Sequence, residues 1–286
     1  MRRILTCHNR LLAFARKPAP VQVSYLGYPD TTGLTPMDYL LGDRRMLPES
    51  EAHLRTEQAW WLPETALCFT PPDLPVSVGP LPAQGNGYVT FGCLNKAEKV
   101  NAAVLDCWAR ILRAVPYSRL LLQSKPYGDP DLAARYRAHL ADRGIDAGRI
   151  KLIGRLSWRE HLETYNRVDI ALDPFPYNGT TTSVEGLWMG VPLLTLMGDR
   201  LVAHMGESIL QAMGMPEWIA ADEDDYVARA VALAADLDGL AALRAQLRAR
   251  LLASPLCDAP RFARHLEQAF RLMWRIWCTR QTGNGL

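Results

Sequence analysis

Asp173-Pro174-Phe175-Pro176-Tyr177-Asn178-Gly179-Thr180-Thr181-Thr182-Ser183-Val184-Glu185 follows an apolar run, Val168 to Leu172, and leads into a helical pattern that begins near Thr181. The run before it has the length and character of a buried strand. Strand, loop and helix in this order make half of a βαβ unit, and the same rhythm continues on both sides. Upstream, strands are expected at Tyr88 to Leu94, Ser118 to Gln123 and Ile150 to Ile153, each followed by a helix: Val100 to Ala114, Asp129 to Arg143, and Trp158 to Asn166. Downstream, the helix Thr181 to Met189 is followed by a strand, Pro192 to Leu196, and a helix, Val202 to Met213, that Gly214 ends. This alternation predicts an α/β fold with a parallel sheet covered on both faces.

Three more helices close the chain. The last opens at Asp258-Ala259-Pro260, an N-cap followed by a first-turn proline. It carries Phe262, Leu266, Phe270, Met273 and Trp277 at helical spacing, which reads as packing surface. Before residue 88 the rhythm is different. Leu11 to Ala15 reads as a short helix stopped by Pro18 and Pro20. Val21 to Leu26, Met37 to Leu41 and Ala59 to Leu62 read as short strands, and Gly27 to Gly33 as a turn-rich loop. Pro71, Pro72, Pro75, Pro80 and Pro82, followed by Gly85-Asn86-Gly87, mark residues 71–87 as an interdomain linker.

Composition narrows the function classes. The 286 residues are 49% apolar and 22% charged, with 32 Lys and Arg against 30 Asp and Glu. A net charge of +2 argues against a general nucleic-acid surface. Six scattered cysteines form no CxxC pair, so neither a disulfide scaffold nor a zinc site is expected, and the cysteines read as reduced thiols of a cytoplasmic protein. No apolar run reaches the roughly 18 residues of a membrane span, and no signal-peptide core follows the basic Met1 to Arg3. No GxGxxG or GxxxxGKS fingerprint and no metal-spaced histidine pair occurs, which counts against a dinucleotide dehydrogenase, a P-loop enzyme and a metal centre.

The chemistry concentrates after the strand ending at Leu172. Ligands of open parallel sheets sit beyond the carboxyl ends of the strands. A helix start there offers free N–H groups and a partial positive charge suited to a diphosphate. Gly179 would let a phosphate approach the backbone, and the hydroxyls of Thr180, Thr181 and Thr182 would add donors. A Glu185 carboxylate one turn into the helix can accept both hydroxyls of a ribose diol. The alternative is that Thr180 to Ser183 only cap the helix, and spacing does not choose between the two. Lys99, after the first strand of the large α/β unit, is either a point charge for a phosphate or a solvated surface lysine like Lys96. His161, early in its helix, could lie flat against a base. His8, His53, His139, His204 and His265 show no partner spacing.

Three stretches, taken together, resemble one family. They are Pro18-Ala19-Pro20-Val21-Gln22-Val23-Ser24-Tyr25-Leu26-Gly27-Tyr28-Pro29 with Thr31-Thr32-Gly33 and Met37-Asp38-Tyr39; Phe91-Gly92-Cys93-Leu94-Asn95 with Lys99; and Asn166 to Asp173 through Leu187-Trp188-Met189-Gly190-Val191-Pro192. In order and spacing they resemble the C-terminal catalytic region of the protein O-linked N-acetylglucosamine transferases, bacterial-type members included, from about Asn9 to Trp277. The resemblance implies a two-lobed GT-B fold and a UDP-sugar donor, with no other cofactor. It implies that Lys99 contacts the diphosphate, that Thr181 and Thr182 bind it at the helix start, and that His161 lies against the uracil. Glu185, where the family commonly has Asp, would take the ribose. Gly27 and Pro29 would line the sugar pocket. Thr180 falls where some members have histidine, and Asp30 where many have glycine.

The same resemblance implies an uneven domain plan. Residues 1–70 correspond to a remnant of the N-terminal catalytic lobe and 88–257 to a complete UDP-sugar-binding Rossmann-type lobe, with a C-terminal helix and tail over 258–286. The 286 residues themselves carry no tetratricopeptide array, which many members of the family use to hold protein acceptors. The implied activity is inverting, metal-independent transfer of N-acetylglucosamine, or a related sugar, to Ser or Thr hydroxyls of a protein or peptide. The alternative is a non-catalytic nucleotide-sugar-binding fragment, or one half of a split enzyme. On this plan the chain alone binds UDP but transfers sugar poorly. An open sheet edge at Val21 to Leu26 then invites self-association or a partner chain that supplies the missing lobe.

Overall fold

The computed structural model describes residues 10–27 and 30–283. Pro29 and His8, both singled out in the sequence, lie outside the described residues. After a single helical turn, α1 (Leu11–Phe14), three short strands follow: β1 (Val23–Ser24), β2 (Tyr39–Gly42) and β3 (Gln58–Trp61). They form one parallel sheet in the order β1-β2-β3, so among the described residues β1 and β3 each pair on one side only. Every residue of β2, the middle strand, is buried.

The stretch 71–87 packs against the second half of the chain. Val76, Leu81 and Ala83 are buried, and α2 (Pro82–Asn86) forms a turn of helix ended by Gly87 in the left-handed region. The Asp169 carboxylate accepts the amides of Ala83 and Thr90, each at 2.8 Å, which ties this stretch to the sheet behind it.

From residue 90 the apolar runs become β4 (Thr90–Cys93), β5 (Arg119–Gln123), β6 (Ile150–Ile153), β7 (Ile170–Leu172), β8 (Leu193–Leu196) and β9 (Ile219–Ala220). All pair in parallel, in the order β6-β5-β4-β7-β8-β9. The connecting helices are α3 (Ala102–Ala114), α4 (Pro130–Ala141), α5 (Trp158–Thr164), α6 (Thr181–Trp188) and α7 (Met205–Ala212). Helices α8 (Glu223–Ala235), α9 (Leu237–Leu252) and α10 (Ala259–Gly283) complete the fold. Buried Phe91, Leu120, Leu122 and Ile170 on the strands and Trp108 and Ile111 on α3 form the centre of the core. The strand order reverses direction between β4 and β7, and at such a switch point the loops diverge and leave a crevice.

Two elements differ from the sequence reading. The helix expected over 202–213 is a 3-10 turn at Leu201–Ala203 followed by α7 from Met205. Strand β9, only two residues long, carries too little periodicity to be read from sequence.

The two sheets are joined by specific contacts. The Ser208 hydroxyl on α7 donates to Asp43 Oδ2 at 2.6 Å. The Phe69 amide donates to the Leu256 carbonyl at 2.7 Å. The Tyr25 ring stacks on Phe262 of α10, with centroids 6.5 Å apart. These contacts place the loop after β1 opposite the start of α6.

Candidate functional site

The crevice beyond β4 and β7 collects most of the residues singled out in the sequence. Side chains cap α3, α4, α5, α8 and α9: Asn101, Asp129, Ser157, Asp222 and Asp236 each accept first-turn amides. Helix α6 has no such cap, because Thr180 makes no side-chain capping bond. The reading of Thr180 to Ser183 as a simple cap is therefore not what the structure has. Among the described residues no side chain accepts the first-turn amides of α6, so they offer donors and partial positive charge to the crevice.

The loop leading into α6 is rigid for an internal reason. Asp173, fully buried, accepts the Gly179 amide at 2.7 Å and the Thr195 hydroxyl at 2.8 Å. Burial pushes its carboxyl up to about 6, opposed by those two hydrogen bonds and by the Lys99 charge. A Cβ at Gly179 would collide with Ser183 Oγ and lie 2.7 Å from Asn95 Nδ2. Glycine is thus favoured here by the protein's own packing, a reason separate from the room for a phosphate expected from the sequence.

Lys99 is not a solvated surface lysine. Its ammonium donates to the Asn178 carbonyl at 2.6 Å and sits over the Tyr177 ring, 4.0 Å from the centroid. Burial lowers its pKa, against the pull of Asp173. Lys96, its neighbour, is exposed. The cation therefore stands against the loop that leads into α6, where an anionic ligand would offset its desolvation.

Thr180 and Thr181 line a cleft of about 260 Å³ together with Leu26, Gly27, Cys68, Tyr177 and Met205, so Gly27 from the small sheet faces the start of α6. Leu26 holds a left-handed φ of 54°, a conformation that costs a non-glycine residue energy and is found at sites where the surrounding structure imposes it. Thr181 is exposed. Thr182 is not among the cleft residues: its hydroxyl donates to Asn95 Oδ1 at 3.0 Å.

His161 and Glu185 form a second group beside the cleft. His161 Nε2 lies 3.2 Å from Glu185 Oε2, and its Nδ1 lies 2.8 Å from Gln123 Oε1. Both ring nitrogens are thus engaged and the ring plane is fixed. Asn95, Gln123, Tyr177 and Asn178 escaped the sequence reading. Asn95 and Gln123 stand at or just past the carboxyl ends of β4 and β5, and a polar residue at that end of a core strand was the available signal.

Residues 5–69 and 80–266 match the model of glycosyl transferase family 41. A probable UDP-N-acetylglucosamine–peptide N-acetylglucosaminyltransferase SPINDLY of Petunia hybrida is 42% identical over 274 residues, which cover 96% of this chain and 29% of that protein. The chain thus spans under a third of the length of that relative. Among solved structures, a mutant O-GlcNAc transferase of Thermobaculum terrenum is similar with a TM-score of 0.89 and 39% identity, over 95% of this chain and 51% of that one. A sucrose-phosphate synthase of Thermosynechococcus elongatus, at 17% identity and a TM-score of 0.58 over 84% of this chain and 59% of that one, shares the fold alone. These likenesses agree with the two parallel sheets and the GT-B-like α/β architecture read from the sequence. The chain belongs to glycosyl transferase family 41.

Proposed function

We propose that the chain binds a UDP-sugar and serves its transfer, with inversion and without a metal ion, to Ser or Thr hydroxyls of a protein or peptide. The observation that carries this reading is the uncapped start of α6 facing a cleft beside Lys99. The leaving diphosphate would lie against the first-turn amides and the hydroxyls of Thr180 and Thr181, with Lys99 as its counter-charge. Lysine and helix end together stabilise the charge that develops as the sugar–phosphate bond breaks. Thr182 acts on this reading through its own backbone amide, since its hydroxyl serves Asn95.

The nucleoside would extend toward His161 and Glu185, with the imidazole against the uracil and the carboxylate on the ribose. The sugar would occupy the cleft lined by Gly27. The acceptor hydroxyl would attack the anomeric carbon from the side of the small sheet. The relatives are named for a UDP-N-acetylglucosamine donor and peptide acceptors, which supports the same classes here.

The test is transfer of label from radiolabelled UDP-N-acetylglucosamine to a mixture of Ser- and Thr-containing peptides, with light scattering in parallel. The expected result is donor binding with weak labelling by the chain alone, β-configured and retained in EDTA. Strand β1, which among the described residues pairs with β2 alone, should also self-associate or require a partner chain. Neither binding nor labelling would overturn the function. An α-configured product or loss in EDTA would overturn the mechanism. Strong labelling by a monodisperse monomer would remove the need for a partner.

A further inference from the structure

The strands of the large sheet begin at an end remote from the nucleotide crevice, and that end carries a hollow that the proposed function does not use. It encloses about 550 Å³ between Gly79, Pro80 and Pro82 on one side and the first residues of β4 and β5 on the other. Arg119, Lys151 and Arg167 line it, and no acidic residue does. All three are exposed, and among the described residues none of the three side chains has an ion-pair or hydrogen-bond partner. Lys151 lies on β6, the edge strand, and Arg167 follows α5, so the cations come from three separate parts of the chain.

Tyr88 and Arg119 also line a second hollow of about 950 Å³, with Arg113, Tyr117, Asp146 and Arg149. The two hollows adjoin at Tyr88 and Arg119, which line both. Arg113 and Arg149 are spent on backbone carbonyls, Arg113 on Arg143 and Arg149 on Leu112, Val115 and Ser118. Asp146 accepts the Gly148 amide. Among the described residues, the cations here whose side chains have no hydrogen-bond acceptor are therefore Arg119, Lys151 and Arg167. A chain with a net charge of +2 has no general excess of cations, so three unpaired ones around one hollow are a local feature.

The geometry points to a docking groove for an acidic polypeptide segment, one rich in Asp or Glu, held across the amino ends of β4, β5 and β6. Three features favour a peptide over other anions. The Arg119 guanidinium covers the Tyr88 ring at 3.9 Å from its centroid, so that face is closed to a stacking base. The cations surround a recess instead of projecting from a flat face, which suits a narrow chain better than a lipid surface. The wall of Pro80 and Pro82 offers apolar contact between carboxylate positions. Because the groove lies at the opposite end of the strands from Lys99 and α6, a segment bound there leaves the nucleotide crevice free.

The experiment is fluorescence anisotropy with a labelled glutamate-rich peptide at low and moderate salt, with unlabelled single-stranded DNA and phosphatidylserine vesicles as competitors. The comparison protein carries Arg119→Gln, Lys151→Gln and Arg167→Gln together. The expected result is salt-sensitive binding weakened about tenfold in the triple variant, each exposed pair contributing modestly, with UDP affinity unchanged. A glutamine-rich peptide of the same length should bind poorly. Two single variants, Lys151→Glu and Arg167→Glu, keep the test decisive if the triple variant folds poorly. The assignment is overturned if the wild type does not bind the glutamate peptide, or if these variants bind it as the wild type does. It is equally overturned if DNA or vesicles displace the peptide at lower concentration than unlabelled peptide does.

Discussion

His161 and Glu185 touch: the imidazole Nε2 lies 3.2 Å from the carboxylate Oε2, and the two side chains are 16% and 10% exposed. The sequence assigned them to different parts of a nucleotide, yet α5 and α6 bring them together as one unit. Gln123 holds the other face of the ring. Among the described residues Glu185 Oε1 keeps no partner, which leaves one oxygen for a ribose hydroxyl.

Replacing Glu185 with Gln should therefore do two things. Discrimination between UDP and deoxy-UDP should fall, since a charged acceptor is worth more to a hydroxyl than a neutral amide. A charge-assisted bond contributes about 1.5–3 kcal/mol, so the wild type should prefer the ribose form by roughly tenfold or more. His161→Ala should lower both affinities without changing their ratio as much. Titration of the two nucleotides decides. A wild type that binds them equally would take Glu185 off the ribose.

His204 at the start of α7 provides a pH-dependent tie between the sheets. Its Nε2 lies 2.9 Å from Glu51 Oε1 and its Nδ1 3.2 Å from Glu207 Oε2. Arg45 pairs with Glu207 at 3.6 Å, and Asp199 and Arg200 complete the surrounding charge. Burial opposes the imidazolium, but the bonds to Glu207 and Glu51 outweigh it and raise the pKa above 6.5. A raised histidine pKa adds stability that is fully present below about 6.5 and is lost as pH rises through the folded-state value. From about pH 6 to about pH 9 the wild type should lose denaturation midpoint, and His204→Gln should lose less. Parallel pH profiles of the two proteins would contradict the tie.

Two glycines should respond in opposite ways. Gly179→Ala forces a methyl group into Ser183 and Asn95, and such overpacking costs about 1–3 kcal/mol. At Gly27 the nearest neighbour of an added Cβ is the Tyr25 carbonyl at 3.9 Å, so Gly27→Ala should leave stability unchanged. Thermal unfolding checks both. Any loss of donor binding in Gly27→Ala then reports on the cleft. A stable Gly179→Ala would show that the loop yields more easily than its contacts imply.

The strands from Tyr88 onward were legible because apolar runs at βαβ spacing leave little choice of sheet. Lys99 and Thr181 were legible as polar residues near the helix starts that follow such runs, and through the family resemblance. What sequence could not give was neighbourhood. Lys99 and Asn178 lie 79 positions apart, and they meet because the strand order sets β4 beside β7. Asn95 and Gln123 were missed for the same reason, since their partners Thr182 and His161 come from other loops. The short strand β9 and the turn α2 lack enough residues to show a period. Arg119, Lys151 and Arg167 are isolated in the chain, and only the folded sheet gathers them.

Lys99 and the open end of α6 are proposed to hold a nucleotide diphosphate. Calorimetric titration with UDP, comparing the wild type and Lys99→Ala, tests it most directly. Binding by the wild type is expected, with an affinity roughly tenfold to a hundredfold lower in the variant, as losing a charge-assisted contact costs about 1.5–3 kcal/mol. Equal affinities, or no binding of UDP by the wild type, would contradict it.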